Sequence, residues 1–133
     1  MNAKVDLDFA SISQALKRLD LPHVDQVVGI ATGGILPAAL LAHQLGLPLT
    51  LLYINYRAPD NSPQRSEPEL LKKAPYLPEG AVILLVDDVS VSGQTMALAR
   101  SRLKDHEVVT FALKGKADYV LFPDIQDCVN WPW

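Results

Sequence analysis

Two adjacent carboxylates, Asp87 and Asp88, stand between an apolar run and a loop of small residues in the segment AVILLVDDVSVSGQT, residues 81–95. Neighbouring acids can accept hydrogen bonds from vicinal sugar hydroxyls or share a hard divalent cation. Ser90, Ser92, Gly93 and Thr95 follow at once and can wrap a phosphate with hydroxyls and backbone N–H groups. No Lys or Arg lies between Asp87 and Thr95, so an anion there is held by amides, with Gly93 permitting close approach. The chemistry suits a sugar phosphate. A second loop, Thr32, Gly33 and Gly34, lies between an apolar run and an apolar helix-like segment, where paired glycines can expose amides to another anion.

These groups need a scaffold that brings both loops to one edge. Residues 81–86 read as a strand buried on both faces, with Asp87 and Asp88 at its carboxyl end, where ligands gather in α/β sheets. A helix from Gln94 to about 104 then points its positive end at the loop. Upstream, Asp8 is an N-cap for a helix to about 19, with Phe9, Ile12, Leu16 and Leu19 at helical spacing and Pro22 ending it. Gln26–Ala31 reads as a strand, Ile35–Leu45 as a helix closed by Gly46, and residues 49–54 and 107–113 as further strands. Two strand-helix-strand units imply a parallel sheet with right-handed crossovers. Residues 55–80, rich in Pro, Ser and charge, exceed the usual connection length and make a candidate lid. Within it, residues 67–74 suit a short helix, and Arg57, Arg65, Lys72 and Lys73 offer cations.

The chain of 133 residues, 49% hydrophobic, has room for one core and one domain. A net charge of −3 argues against a surface built for nucleic acid, so a polyanionic ligand must be met locally. The single cysteine, Cys128, forms no internal disulfide and is expected as a buried structural thiol. The absence of a leader and of a long apolar run points to the cytoplasm and away from a membrane. His23, His43 and His106 are dispersed without metal-ligand spacing, and Ser11, Ser13 and Ser62 sit in no nucleophile-elbow motif.

Residues 81–95 resemble the motif of the type I phosphoribosyltransferases that binds 5-phosphoribosyl 1-pyrophosphate (PRPP). GIATGGILPAALLAHQLGLPL, residues 29–49, resembles the pyrophosphate loop and following helix of that family, and INYR, residues 54–57, the start of its mobile loop. DYV at 118–120 and the late Pro132-Trp133 are similar to the small bacterial xanthine-guanine and hypoxanthine enzymes. The resemblance implies a single-domain α/β fold: a mostly parallel sheet flanked by helices, with a flexible lid at about 55–80 and a small hood at about 114–133. It implies transfer of ribose 5-phosphate from Mg²⁺-PRPP to a nucleobase, a purine above others, by a cytoplasmic homodimer.

The resemblance also distributes roles. Val91, Ser92, Gly93, Gln94 and Thr95 would hold the 5′-phosphate, Thr32, Gly33 and Gly34 the pyrophosphate, and Arg57 and Arg65 would close over it. Asp87 and Asp88 would be the catalytic acids, holding the ribose or, through water, the metal. Lys114, with Lys116 as competitor, would contact the exocyclic oxygen of the base, and Trp131, or else Trp133, would stack on it. Two positions depart from the pattern. Val91 stands where the 6-oxopurine enzymes carry an aspartate, and Thr32 replaces a frequent basic residue. These departures motivate the alternative of a PRPP- or nucleotide-binding regulatory protein with little transferase activity. A phospho-acceptor receiver domain also carries paired acids at a strand end, but near its start rather than its last third.

Overall fold

The computed structural model describes residues 4–55, 69–70 and 76–133. Arg57, Arg65, Lys72 and Lys73 lie outside the described residues, as does most of the candidate lid. The elements are β1 (Val5–Asp6), α1 (Phe9–Arg18), β2 (Gln26–Ala31), α2 (Ile35–Leu45), β3 (Leu49–Asn55), β4 (Glu69–Leu70), β5 (Ile83–Ser90), α3 (Gln94–Ser101), β6 (Val108–Gly115), β7 (Tyr119–Val120) and β8 (Val129–Asn130). A six-stranded sheet runs in the order β4-β3-β2-β5-β6-β7, and β1 pairs with β8 in a separate ribbon. Every neighbouring pair is parallel except β3 with β4.

Apolar alternation along the central strands divides the core in two. Val27, Leu84, Val86, Phe111 and Leu113 face α1 and α2, whereas Val28, Ile30, Ile83, Leu85 and Met96 form the second cluster on the α3 side. Because side chains alternate between faces, odd positions of β5 point to α3 and even positions to α2. Gly29 allows α2 to sit close on the sheet, since a Cβ there would lie 2.7 Å from the Ala38 Cβ. The Asp8 carboxylate caps α1 by accepting from the Ser11 amide at 2.7 Å, which places Ile12 and Leu16 against α2. Gly46, at φ 67°, closes α2 as anticipated.

Five expectations need correction. The strand carrying the acids continues to Ser90, because pairing with β6 persists through Val89↔Lys114 and Ser90↔Gly115. Asp87 and Asp88 thus lie inside the strand, and β6 likewise extends past 113 to Gly115. The first helix ends at Arg18, where Leu19 turns extended before Pro22 is reached, and α3 stops at Ser101 instead of 104. Finally, Glu69–Leu70 is not helical: it pairs antiparallel with Ile54 and Asn55, satisfying backbone groups at the outer edge of β3. No helix among the described residues is long and apolar enough to cross a membrane.

Two of the four leucines of α2 test this burial. Leu41 is fully buried and Leu45 37% exposed, so Leu41→Ala should cost about 2–5 kcal/mol in urea unfolding and Leu45→Ala roughly 0.5 kcal/mol or less.

Candidate active site

Alternation sets the two acids on opposite faces of β5. Asp88 is directed to the α2 side, and there it meets the Thr32-Gly33-Gly34 loop. A Cβ built on Gly33 would lie 2.5 Å from Asp88 Oδ2 and 2.7 Å from Oδ1, so only glycine lets the loop settle against this carboxylate without displacing it. Gly34 is tighter still, with its Cβ position 2.6 Å from the carbonyl oxygens of both Ile30 and Val86. The loop is pinned by Gly34 N donating to Ile30 O at 2.8 Å and Ile35 N to Thr32 O at 3.1 Å. The Gly33 amide is left without a bond among the described residues. The peptide between Ala31 and Thr32 is cis.

Asp87 faces the α3 side and is only 8% exposed. Its Oδ1 accepts from the Asp88 amide at 2.8 Å, and Asp88 Oδ1 from the Val89 amide at 2.7 Å. Burial, reinforced by the neighbouring Asp88 charge, pushes the Asp87 carboxyl well above the usual carboxylate range, and the bond from the Asp88 amide offsets only part of this. Beyond Ser90 the chain turns through Val91, which is 63% exposed, to Gly93 at φ 82°, the N-cap of α3. Ser92 Oγ accepts from the Gln94 amide at 3.3 Å. The amides of Thr95 and Met96 make no bond among the described residues and lie at the helix start, where free N–H groups suit an anion. Thus the carboxylate pair lies between two amide-bearing loops, one on each face of the sheet.

Lys114 stands on β6 in register with Val89, one residue past the acid pair, and is half-buried; Lys116 is exposed and donates its amide to Ser90 O at 2.7 Å. Between them Gly115, at φ 104°, packs so closely that a Cβ would run into the Ser90 carbonyl. Asp118 locks this crossover: its Oδ2 accepts from the Thr110 amide at 2.9 Å while its own amide donates to Thr110 Oγ1 at 2.8 Å. A groove of about 270 Å³ between α3 and this crossover is lined by Met96, Arg100, Thr110 and Lys116, and it touches the loops described above only at Gly93.

The tail differs from the picture of a free stacking platform. Trp131 is half-buried, stacked on Trp133 at 5.8 Å and 4°, with Phe122 at 6.5 Å, and Trp133 meets the edge of Phe9 at 6.1 Å. The indole is thereby occupied with the chain's own rings. Cys128 is exposed, which corrects the buried thiol; its segment is held by its backbone, through Val5 N donating to Cys128 O at 2.8 Å. His23 pairs with Asp25 at 2.9 Å and His106 Nδ1 lies 3.0 Å from Ala81 O, both away from the acids in sequence and register. Ser90, read from sequence as a loop hydroxyl, is buried in β5. The Thr110–Asp118 lock was not anticipated; an isolated threonine within the apolar run of β6 was its one sequence signal.

Two substitutions separate the roles of these groups. Gly33→Ala should leave thermal stability nearly unchanged, because the end of a short side chain can yield; Gly34→Ala meets backbone on two strands and should cost about 1–3 kcal/mol of stability. Asp87 gives a pH test. Between the unfolded carboxylate value of about 3.9 and the raised folded value, the folded chain holds a proton that the unfolded chain has released, so stability falls as pH rises. Asp87→Asn should therefore raise the melting temperature of the ligand-free protein at neutral pH, with the gap closing as pH approaches 4.

Comparison with known proteins shows the family. Residues 9–116 match the phosphoribosyl transferase domain family. The chain is 24% identical over 133 aligned residues to xanthine-guanine phosphoribosyltransferase of Idiomarina loihiensis, covering 96% of this chain and 82% of that one. The purine phosphoribosyltransferase of Pyrococcus horikoshii shares the fold with a TM-score of 0.81 at 23% identity, covering 100% of this chain and 94% of that one. A Neisseria gonorrhoeae protein with bound ppGpp superposes with a TM-score of 0.76 at 25% identity, covering 100% and 90%. With two amide loops flanking an acid pair on this sheet, and a family match spanning most of its length, the chain belongs to the phosphoribosyl transferase domain family of PRPP-dependent pentosyltransferases.

Proposed function

We propose that the chain transfers ribose 5-phosphate from PRPP to a purine base and releases pyrophosphate. The carrying observation is the contact of Gly33 with the Asp88 carboxylate, which joins the pyrophosphate loop to the sugar-binding acids. In this reading the 5′-phosphate sits on residues 91–95, against the free amides of Thr95 and Met96. Asp87 and Asp88 hold the ribose hydroxyls, and the Gly33 amide faces the pyrophosphate. The bond from C1 to the pyrophosphate oxygen breaks with its electron pair leaving on pyrophosphate, and a ring nitrogen of the base forms the new bond to C1 as its N–H proton is released to solvent or to the leaving pyrophosphate. Positive charge at the sugar in the transition state is stabilised by the adjacent carboxylates.

Asp87 and Asp88, adjacent in β5, suit an ion that takes most of its ligands from water and substrate. Mg²⁺ behaves in this way, and when bound it would offset charge on the leaving pyrophosphate. In this reading Lys114, on β6, meets an exocyclic oxygen of the base. Trp131, engaged with Trp133, supports the wall of the base site in this reading, and Arg57 and Arg65 supply cations from the lid. The working unit is a cytoplasmic homodimer, to be checked by solution mass.

The ppGpp-bound neighbour favours a second reading, in which the same two loops hold phosphates at the two ends of a nucleotide. Thr32 and Val91, lacking charge and a proton acceptor, fit a binder with slow turnover.

Pyrophosphate release from Mg²⁺-PRPP with a panel of purines, pyrimidines and orotate decides between them. Release with a purine supports the transferase; release only with another base corrects the acceptor, and tight PRPP or ppGpp binding without release favours the binder. Lys114→Ala should raise KM for the base about tenfold, the worth of one lost hydrogen bond, and leave KM for PRPP within about twofold.

A further inference from the structure

The groove between α3 and the β6–β7 crossover holds two cations that the site described so far does not use. Arg100 projects from α3 and Lys116 from the crossover; both line the groove, and neither side chain has an ion-pair or hydrogen-bond partner among the described residues. Asp118, the one acid on its wall, is engaged at Oδ2 by the Thr110 amide. Met96, Ala97 and Ala117 bring no charge. The lining also includes Gly93, the N-cap of α3, so the groove opens from the loop assigned to the 5′-phosphate. Both cations are tied to that opening. Helical side chains tilt toward the N-terminus, which carries the Arg100 guanidinium back toward Gly93, and the Lys116 amide is bonded to Ser90 O, one residue before the loop begins. The groove lies on the α3 face of the sheet, since Thr110 on its wall is in register with Leu85, which packs in the cluster containing Met96.

We propose that this groove is a subsite for the second phosphate of a nucleoside 5′-diphosphate, which binds the chain more tightly than the monophosphate and competes with PRPP. This rests on the reading that puts a 5′-phosphate on residues 91–95. With the sugar at Asp87 and Asp88 and its phosphate at the loop, a further phosphate continues away from the acids, past Gly93, and enters the groove. Charge selects that occupant. A monophosphate is met by amides alone and leaves Arg100 and Lys116 to water, whereas the next phosphate brings negative charge to a wall where two cations stand against one carboxylate. The arginine fork can bind two phosphate oxygens at once, and the lysine adds a point charge. A volume of about 270 Å³ admits a phosphoryl group with water around it. PRPP carries its diphosphate at C1 and a single phosphate at the 5′ position, so the donor leaves the groove empty and the subsite discriminates between the two ligands.

The test measures calorimetric affinity for guanosine 5′-monophosphate and guanosine 5′-diphosphate at one ionic strength and one Mg²⁺ concentration. The unaltered chain should bind the diphosphate about tenfold tighter, the worth of one charge-assisted hydrogen bond. Arg100→Gln should cut that advantage to about threefold or less, with monophosphate affinity within about twofold and the melting temperature unchanged; Lys116→Gln should narrow the advantage too. With turnover, the diphosphate should inhibit competitively against PRPP, and either substitution should raise its inhibition constant. Equal affinity of the unaltered chain for both nucleotides would overturn the proposal. So would an advantage that survives both substitutions, or an Arg100→Gln chain that loses monophosphate and diphosphate alike. The transferase reading is judged apart: pyrophosphate release with a purine while the two nucleotides bind equally sinks the groove alone, and a diphosphate advantage that depends on Arg100 without release to any base sinks the transferase alone.

Discussion

The place a side chain on residue 33 would take is filled by the carboxylate of Asp88, and the functional end of the sheet is organised by that contact. It fixes the distance between a loop from β2 and an acid from β5, two strands that are neighbours in space but far apart in sequence. The register of β2 with β5 brings Gly29 beside Val86, so the loop after β2 and the acids of β5 emerge at the same height. Gly34 then seats the loop on backbone of both strands, and Gly29 lets α2 follow it closely. Three glycines thus perform one task, removing side chains wherever the loop must touch the sheet.

Much of this was readable from the residues. β2 and α2 fall where apolar runs, Gly46 and the turn signals place them, because local pattern and tertiary burial agree there. The end of β5 was misread for the opposite reason. Polar Asp87, Asp88 and Ser90 look like a loop, and only pairing with β6 keeps them extended. A ladder partner some 25 residues downstream leaves no local trace. Similarly, Glu69 and Leu70 have helix-forming neighbours in sequence, yet their edge pairing with β3 prevails. The acid pair and the glycines were legible as chemistry. That one acid faces each side of the sheet follows from alternation once the strand is known to include them.

Unfavourable groups concentrate at this strand end. Asp87 is buried beside another acid and Ser90 carries an unpaired hydroxyl. Each lowers the stability of the ligand-free chain, whereas the apolar clusters on either face contain none of them. Such a distribution is what a site looks like when its polar groups are arranged for a partner rather than for one another. The reciprocal Thr110–Asp118 bonds and the Trp131–Trp133 stack, both nearby in the fold's outer parts, are by contrast internally satisfied and act as supports.

Charge imposes the last constraint. A net charge of −3 and two carboxylates at the centre of the site oppose the arrival of a polyanion. Neither described loop supplies a cation: residues 32–34 and 91–95 contain only Thr, Gly, Val, Ser and Gln. Backbone amides can position phosphates, but they carry partial charges and cannot cancel a pyrophosphate's several negative charges. Under the proposed function, neutralisation is brought in with the substrate, as a divalent ion, or by the cationic residues in the sequence between β3 and β5. On that reasoning affinity for free pyrophosphate without a metal should be poor, while an uncharged sugar hydroxyl pair is well matched to the acids. In the proposed function, recognition of the metal-bound donor as a unit is favoured over capture of its anionic parts.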